Sequence, residues 1–212
     1  YTHIIMTTPL RVTGAMAQLD AFVTGGGILW LQGASTVAWA ADEDLTEATW
    51  RMSSAKKQAA ELKRVKQNDA GATAQGALLP ERKPVSSASD EYAFTLVRGA
   101  ILQGDLDTSH PLGYGYTTNE LAVFRTTNRF MNPSSNAYSS PVVYTDSPLL
   151  SGYMSDENRS LVANSAGLVV DERGDGAVVL SLDSPTFRAF WWGTQRLIVN
   201  GIFFGDLLRE PR

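Results

Sequence analysis

Hydrophobic residues near the carboxyl end of the sequence follow two periods, and each period predicts a different element. Residues 177–182 form a short, almost uncharged run rich in β-branched side chains, which is typical of a strand buried on both faces. Ser184 and Pro185 then have the residue types that begin a helix. From Phe187 to Gly201, apolar residues recur at helical spacing and predict one helix with a broad apolar face. Together they predict one α/β layer, a strand covered by a helix.

The amino-terminal part of the chain predicts a second unit of the same kind. Residues 3–6 and 28–31 are short apolar runs with the character of strands. Between them, residues 15–23 place apolar side chains on one face of a helix, which three glycines at 25–27 end. A strand, a helix and a strand at this spacing form a βαβ unit, with parallel strands and a right-handed crossover. We therefore predict an α/β fold.

The next stretch of the chain is less regular. We predict a helix over residues 34–41, a basic helical stretch over residues 46–67, and a flexible loop over residues 68–90, which are rich in Ala, Gly, Ser and Pro. The basic residues are Arg51, Lys56, Lys57, Lys63, Arg64 and Lys66. They form either a patch for an anionic partner or a solvated helix, and the acidity of the whole chain favours the solvated helix. Residues 46–92 are thus predicted to be an insertion in a single domain that spans residues 1–212.

Further strands and one more helix are predicted in the remaining part of the chain. The strands lie at residues 99–106, 121–125, 141–145 and 168–170. A turn-rich loop at residues 107–116 and a polar loop at residues 132–140 lie between them. Ser155, followed by two acidic residues, opens a helix that runs towards Ala163, because acidic side chains suit the positive end of a helix.

Composition and charge narrow the classes of function. The chain has 212 residues, no cysteine and a net charge of −4, with an isoelectric point near 5.2. An acidic chain argues against general nucleic-acid binding, which depends on Lys and Arg at the phosphates. The lack of cysteine excludes disulfides, thiolate metal sites and cysteine nucleophiles. No apolar run approaches the ~20 residues that span a bilayer. Because the sequence begins on a strand without Met, we expect an excised part of a longer polypeptide.

The candidate metal ligands are few. A zinc peptidase site needs several imidazole and carboxylate ligands and a general base, whereas this chain has only His3 and His110. His3 is predicted to lie in a strand, with no acidic residue three positions later. His110 follows Asp105 and Asp107, but this segment is more typical of a hydrogen-bonded turn. We predict no metal site in this chain.

One candidate nucleophile lies between a predicted strand and a predicted helix. Ser35 stands after Gly33 where the nucleophile elbow of a hydrolase would be, but Val37 replaces the second glycine of that motif. His110 is the only plausible base, and no acidic residue is placed in the sequence to orient it. We interpret Ser35 as a helix N-cap. The alternative is a serine-dependent hydrolase or amidase, which requires Ser35 and His110 to lie within about 2.6–3.2 Å of each other.

The remaining acidic and glycine-rich clusters do not predict catalysis. The acidic clusters at residues 42–44 and 156–157 are typical of solvated faces or helix caps. The glycines at residues 25–27 precede a strand, whereas a dinucleotide fingerprint precedes a helix. We therefore predict no catalytic, cofactor-binding or metal-binding residues. A third alternative is a carbohydrate- or peptide-binding module that uses exposed aromatic residues, although Trp191 is more typical of a core residue. The candidates are Tyr114, Tyr116, Trp191 and Trp192.

Several of these segments together resemble a known family. The segments are residues 26–29, 33–35, 99–112, 151–153, 187–191 and 203–205. They resemble the carboxy-terminal region of large bacterial zinc carboxypeptidases of the M14 type, which is similar to the class I glutamine amidotransferase fold. The resemblance implies a flavodoxin-like, mostly parallel sheet with helices on both faces. It covers most of the chain, is weak over residues 46–98 and 126–140, and is most specific at the carboxyl end.

The resemblance also implies a role. In such a parent protein, zinc belongs to an amino-terminal peptidase domain, so no cofactor is expected in this chain. Active amidotransferase relatives have a cysteine where this chain has Ser35, and a Glu after the His-Pro pair where it has Leu112. The implied function is a non-catalytic accessory domain that packs against its own peptidase domain or helps to bind peptide or cell-wall substrate. The implied location is periplasmic or secreted, and self-association stays open.

Overall fold

Nine strands form one sheet in the computed structural model, which describes residues 1–10, 15–51, 84–87 and 95–208. The strands are β1 (His3–Met6), β2 (Ile28–Gln32), β3 (Trp50–Arg51), β4 (Ala100–Leu106), β5 (Glu120–Arg125), β6 (Phe130–Met131), β7 (Val142–Ser151), β8 (Ala166–Arg173) and β9 (Gly176–Ser181). The order across the sheet is β1-β2-β9-β8-β7-β4-β5, and β6 pairs with both β8 and β3.

Four α-helices are present in the described part of the chain. They are α1 (Ala15–Thr24), α2 (Ala34–Asp42), α3 (Asp156–Val162) and α4 (Gln195–Phe203). The predicted capped helix near Ser155 is confirmed as α3, because the Ser155 hydroxyl accepts a hydrogen bond from the backbone N–H of Asn158. Single 3₁₀ turns complete the regular structure, including one at Pro111–Gly113 that borders the site described below.

The predicted βαβ unit is confirmed. β1 and β2 are parallel, with His3 opposite Ile28, and α1 connects them. β9 is also parallel to β2, with Leu29 opposite Val178. All six residues of β9 are buried, as the uncharged run at its position predicts.

The rest of the sheet is antiparallel, so the predicted flavodoxin-like, mostly parallel sheet is wrong. β8 and β9 are joined by a two-residue turn, in which Gly174 has a φ of 63° and Arg173 lies opposite Gly176. Such a short connection forces the two strands to be antiparallel. β7 is antiparallel to β8, and β4 is antiparallel to both β7 and β5. The result is a mixed sheet that curls into a half-barrel.

Two cores lie on the two faces of the sheet. Successive residues of a strand point to opposite faces, and β2 shows this clearly. Leu29 and Leu31 belong to the core that α1 and α2 cover, whereas Ile28 and Trp30 belong to the core on the other face. α4 covers the second core with Leu197, and Gly201 of that helix is packed against the ring of Trp30. The sheet therefore lies between helical layers in its parallel half.

The single helix predicted over residues 187–201 is wrong in its first half. Only α4, from Gln195, is α-helical, and two 3₁₀ turns precede it. Arg188 and Ala189 have φ angles of 49° and 56°, which a right-handed helix does not allow. Ser184 is not the predicted N-cap, because its hydroxyl accepts a hydrogen bond from the amide of Gln32 at 2.7 Å.

The predicted basic helix is wrong where the structure describes it. Residues 46–49 have no regular secondary structure, and β3 follows them and pairs antiparallel with β6. The Arg51 side chain donates to the carbonyl oxygens of Ala163 and Asn164, at 2.5 and 2.6 Å. The remainder of the predicted helix and the predicted flexible loop lie outside the described residues, apart from one 3₁₀ turn at Val85–Ser87.

Candidate functional site

The directions of the strands separate the two residues of the hydrolase hypothesis. β2 is parallel to β9, and three successive antiparallel pairings then lead through β8 and β7 to β4. β4 therefore runs opposite to β2, so Ser35, after β2, and His110, after β4, lie at opposite ends of the sheet. Ser35 is exposed within the first turn of α2, and Gly33 occupies the N-cap position. The structure does not bring Ser35 and His110 together, and the N-cap interpretation of Ser35 is wrong.

A cleft of about 450 Å³ lies at the His110 end of the sheet. Three parts of the chain form it, namely the turn after β4, the loop before β7 and the end of β8, with two residues near the carboxyl end closing one side. We call it the His110 cleft. Its lining residues are Asp107, Ser109, His110, Pro111, Asn136, Tyr138, Ser139, Val170, Glu172, Leu207 and Leu208. The volume is within the range of about 300–1,000 Å³ that is usual for small-molecule sites.

The turn after β4 is built around the carboxylate of Asp107. Its Oδ1 accepts the backbone N–H of Ser109 at 2.9 Å and the Ser109 hydroxyl at 2.6 Å. The hydrogen bond from the Ser109 hydroxyl lowers the pKa of Asp107, so this carboxyl is ionised at neutral pH. Gly113 closes the turn, because a Cβ there would lie 2.2 Å from the carbonyl oxygen of Asp107.

The hydrogen bonds of His110 fix the state of its ring. Nδ1 lies 3.1 Å from the backbone nitrogen of Leu112 and accepts its N–H, which caps the 3₁₀ turn. In the neutral imidazole the proton must then be on Nε2. Burial lowers the pKa of His110, against the opposing effect of the Asp107 charge, so the ring is uncharged at neutral pH. His110 therefore presents an N–H donor at Nε2, for which the described residues supply no acceptor.

The opposite wall is the loop of residues 132–140, which its own side chains fold. The Ser134 hydroxyl accepts the N–H of Asn136 at 3.2 Å, and Asn136 Oδ1 accepts the N–H of Tyr138 at 3.0 Å. Val170 of β8 donates its N–H to the carbonyl oxygen of Ser139, which ties the loop to the sheet. Ser139 is only 8% exposed, yet its hydroxyl has no hydrogen-bond partner among the described residues. Tyr138 is 75% exposed at the rim.

The residues weighed as metal ligands from the sequence, Asp105, His110 and His3, have separate surroundings in the described part of the chain. Asp105 belongs to β4, and its carboxylate accepts a hydrogen bond from the amide of Asn119 at 2.8 Å. His3 lies in β1, where its Nδ1 pairs with the hydroxyl of Thr2 at 2.9 Å. Within the ranges that the structure describes, no group of three His, Cys, Asp or Glu side chains could hold a metal ion.

The four candidate aromatic residues do not line the His110 cleft. Trp192 is 78% exposed, whereas Trp191 is partly buried and donates its indole N–H to the carbonyl oxygen of Ala122 in β5. The Tyr116 hydroxyl donates to the carbonyl oxygen of Gly193 at 2.8 Å, and burial raises the pKa of Tyr116 to about 12. Tyr114 packs edge-on against the ring of Phe204. Three of the four are therefore held by packing or hydrogen bonds.

A buried charged pair was missed by sequence reasoning. Arg125, fully buried at the end of β5, lies 3.3 Å from Oδ2 of Asp183, which follows β9. Oδ2 also accepts the hydroxyl of Tyr144 from β7 at 2.5 Å. Burial raises the pKa of Asp183, whereas Arg125 and the Tyr144 hydroxyl oppose that rise. From the sequence one can see only that an arginine ends an apolar strand. That pattern does not indicate which residue it pairs with.

Comparisons with known proteins add little. No family model matches the sequence, and no curated protein matches it. One solved structure, cytoplasmic protein STM3548 from Salmonella typhimurium, is similar over 96% of this chain and 71% of its own, with 14% identity and a TM-score of 0.45. A likeness at that level carries no inference about function. In the described parts of the chain, no helix is long and apolar enough to cross a membrane.

Proposed function

We propose that this chain is a non-catalytic binding domain, and that the His110 cleft holds a small polar ligand that is neutral or positively charged. The observation that carries the proposal is the state of His110. A neutral ring that already has its proton on Nε2 can donate a hydrogen bond to a ligand, but it cannot remove a proton through that nitrogen.

The neighbouring hydroxyl supports binding over catalysis. A nucleophilic serine needs a base that accepts its proton. Ser109 instead donates its hydroxyl to the ionised carboxylate of Asp107, and that carboxylate is held in place by two hydrogen bonds from Ser109. This arrangement fixes Asp107 as an acceptor. The backbone N–H of His110 also donates to this carboxylate, and an ionised carboxylate can accept a further hydrogen bond from a ligand.

The charges at the cleft support the stated ligand class. Asp107 contributes negative charge to the lining, and His110 contributes no positive charge at neutral pH. An anionic ligand would meet like charge here, and no Lys or Arg among the described lining residues compensates for its lost hydration. A hydroxyl, amide or ammonium group would instead find acceptors at Asp107 and a donor at His110.

The accessory role implied by the family resemblance stays a prediction. It places the chain beside a zinc carboxypeptidase-like domain of the same polypeptide, in the periplasm or outside the cell. The proposed cleft is compatible with that role, since a binding domain can hold part of a substrate for a neighbouring enzyme. The support for binding comes from the cleft alone, because the fold that the resemblance implied is wrong.

Two isosteric variants test the proposal. In His110→Asn the amide oxygen replaces Nδ1 and can cap Leu112, but the donor at Nε2 is lost, whereas His110→Gln keeps a donor near Nε2 and loses the cap. We would titrate ¹⁵N-labelled protein with glucose, N-acetylglucosamine and spermidine and follow amide shifts. At ligand concentrations of about 1–10 mM, we expect amide shifts that are confined to residues 107–110 and 136–139. His110→Asn should reduce these shifts at least as much as His110→Gln does. Shifts elsewhere only, or none with any of the three probes, would contradict the proposal.

A further inference from the structure

α4 carries apolar side chains on its outer face as well as on its core face. Leu197 and Gly201 face the core. Val199, Ile202 and Phe203 lie on the other side of the helix and are 45%, 45% and 78% exposed. These three residues are spaced three and four apart, so they share one face. A helix that is apolar all round is normally covered all round. The outer face of α4 therefore has the composition of a contact surface.

The other described helices do not have such a face. Every large apolar side chain that is exposed on a described α-helix belongs to α4. The exposed residues of α1 are small or polar, such as Gln18 and Thr24, and those of α3 include Asp156 and Glu157. An apolar outer face is thus not a general property of the helices in this fold. Clustered exposed apolar side chains of this kind mark interaction sites.

Charged side chains of opposite sign lie at the two ends of this face. Arg196 precedes it and Asp206 follows it, both are exposed, and residues 197–205 contain no charged residue. The Arg196 guanidinium donates to the carbonyl oxygen of Gly115 and lies over the ring of Tyr116. A guanidinium has five donors and a carboxylate has several acceptor positions, so each can bind a partner in addition to its contacts within the monomer. We call the three exposed apolar residues and these two charged residues the α4 patch.

We propose that the α4 patch binds the α4 patch of a second copy of this chain, with the two helices antiparallel across a two-fold axis. An axis at the level of residue 201 places Val199, two residues before it, opposite the partner's Phe203, two residues after it. It likewise places Arg196 beside the partner's Asp206, since both lie five residues from that level. A parallel arrangement would instead bring like charges together at both ends. This inference goes beyond the proposed function and does not depend on it.

The size of the α4 patch predicts a weak dimer. Three apolar side chains on each protomer bury much less than the roughly 800 Å² per partner of an interface of standard size. We therefore expect a dissociation constant of about 10–100 µM and a dimer that reverses on dilution. The apolar side chains supply the attraction, and the charges at the ends set the orientation of the two helices.

Dilution, and a charge placed within the patch, give the first test. Sedimentation of the 212-residue chain at about 5–500 µM should show a monomer–dimer equilibrium. Phe203→Glu should raise the dissociation constant at least about tenfold, because the new carboxylate loses its hydration in the interface. Tyr153→Glu is the matched control and should leave the constant unchanged, since Tyr153 is 59% exposed outside the patch. A chain that stays monomeric throughout this range, or a dimer that Phe203→Glu does not weaken, would overturn the proposal.

Charge exchange gives the second test, which is specific to the antiparallel arrangement. Arg196→Glu and Asp206→Arg should each raise the dissociation constant about threefold to tenfold, because each puts like charges together at both ends of the dimer. An equimolar mixture of the two variants should regain the wild-type affinity, because the mixed dimer pairs unlike charges at both ends. Concentrated salt should reduce all of these differences. A mixture that associates as weakly as the separate variants would show that the antiparallel arrangement, and with it the proposal, is wrong.

Discussion

The two nitrogens of His110 have different surroundings, and the difference predicts how the domain responds to acid. Nδ1 is used as an acceptor by the N–H of Leu112, so protonating the ring at that nitrogen breaks the cap of the 3₁₀ turn. Burial places the pKa of His110 in the folded protein below its ordinary value of 6.5. The unfolded chain therefore takes up a proton first as the pH falls. The contribution of His110 to stability is complete above pH 6.5 and is lost as the pH falls through the folded pKa.

The pH prediction can be measured on one residue. Histidine ¹⁵N spectra should show the Nε2–H tautomer for His110 at pH 7.5 and a pKa below that of an exposed histidine. Urea denaturation between pH 7.5 and 5 should show a loss of stability that His110→Asn reduces, because the asparagine cap does not titrate. His3 is present in both proteins and serves as the internal control. A His110 pKa above 6.5 in the native protein would contradict the structure.

The segment between β9 and α4 shows the largest difference between the sequence pattern and the observed elements. Apolar residues at helical spacing predicted one helix, but tertiary contacts hold the backbone in two short turns. The indole of Trp191 donates to Ala122 of β5, and the Thr194 hydroxyl donates to the carbonyl oxygen of Pro185 at 2.7 Å. Neither acceptor can be read from a local pattern. The local pattern is correct only for α4, where the apolar face covers the core.

The backbone of this segment gives a prediction at the level of the element. Ala189 has a φ of 56° and is exposed, so replacing it by glycine removes left-handed strain of about 1 kcal/mol. The matched variant is Ala163→Gly after α3, where φ is −53° and glycine only adds disorder to the unfolded chain. We expect Ala189→Gly to be neutral or stabilising, and Ala163→Gly to destabilise by about 0.5–1 kcal/mol. Equal losses for the two variants in urea denaturation would contradict the assigned conformation.

Local signals predicted individual strands and the first βαβ unit, but they did not predict how the strands are arranged. β1, β2 and β9 are apolar runs, and the burial of β2 and β9 follows from composition. The strand directions depend on connection lengths, such as the two-residue turn at Gly174, and on pairing between strands distant in the sequence. The His110 cleft depends on the same pairing. The turn around Asp107 was predicted as a hydrogen-bonded turn, whereas its meeting with residues 136–139 follows only from the antiparallel half of the sheet.

Across the whole molecule, one buried charged network joins the two halves of the sheet. Arg125 comes from the end of β5 and Tyr144 from β7, both in the antiparallel half, while Asp183 follows β9 in the parallel half. The Arg125 guanidinium also donates to the carbonyl oxygens of Thr127 and Arg129, and it lies over the rings of Phe130 and Tyr144 at 5.0 and 5.3 Å. Both side chains that donate to the Asp183 carboxylate come from the antiparallel half of the sheet.

Replacing one residue of this network should lower the free energy of unfolding far more than breaking a surface ion pair. Arg125→Met leaves the Asp183 charge buried and uncompensated, which costs about 3–5 kcal/mol. Tyr144→Phe removes one hydrogen bond to the carboxylate and costs about 1.5–3 kcal/mol. Arg173→Met, which breaks the half-exposed pair with Asp20, is the control and should cost at most ~1 kcal/mol. Urea denaturation at pH 7 measures all three.

The pH dependence of the variant separates a charge effect from a packing effect. Burial already raises the pKa of Asp183 in the native protein, and Arg125 opposes that rise. Arg125→Met removes the positive charge that opposes this rise in pKa, so the folded variant binds a proton at Asp183 more readily than its unfolded chain does. The stability of the variant relative to wild type therefore recovers as the pH falls. Arg125→Met combined with Asp183→Asn should recover much of the loss at pH 7, because no charge is then buried alone. The loss of stability could instead be the same at pH 7 and pH 5, and the same in the double variant. That result would mean that packing, and not charge, holds the two halves of the sheet together.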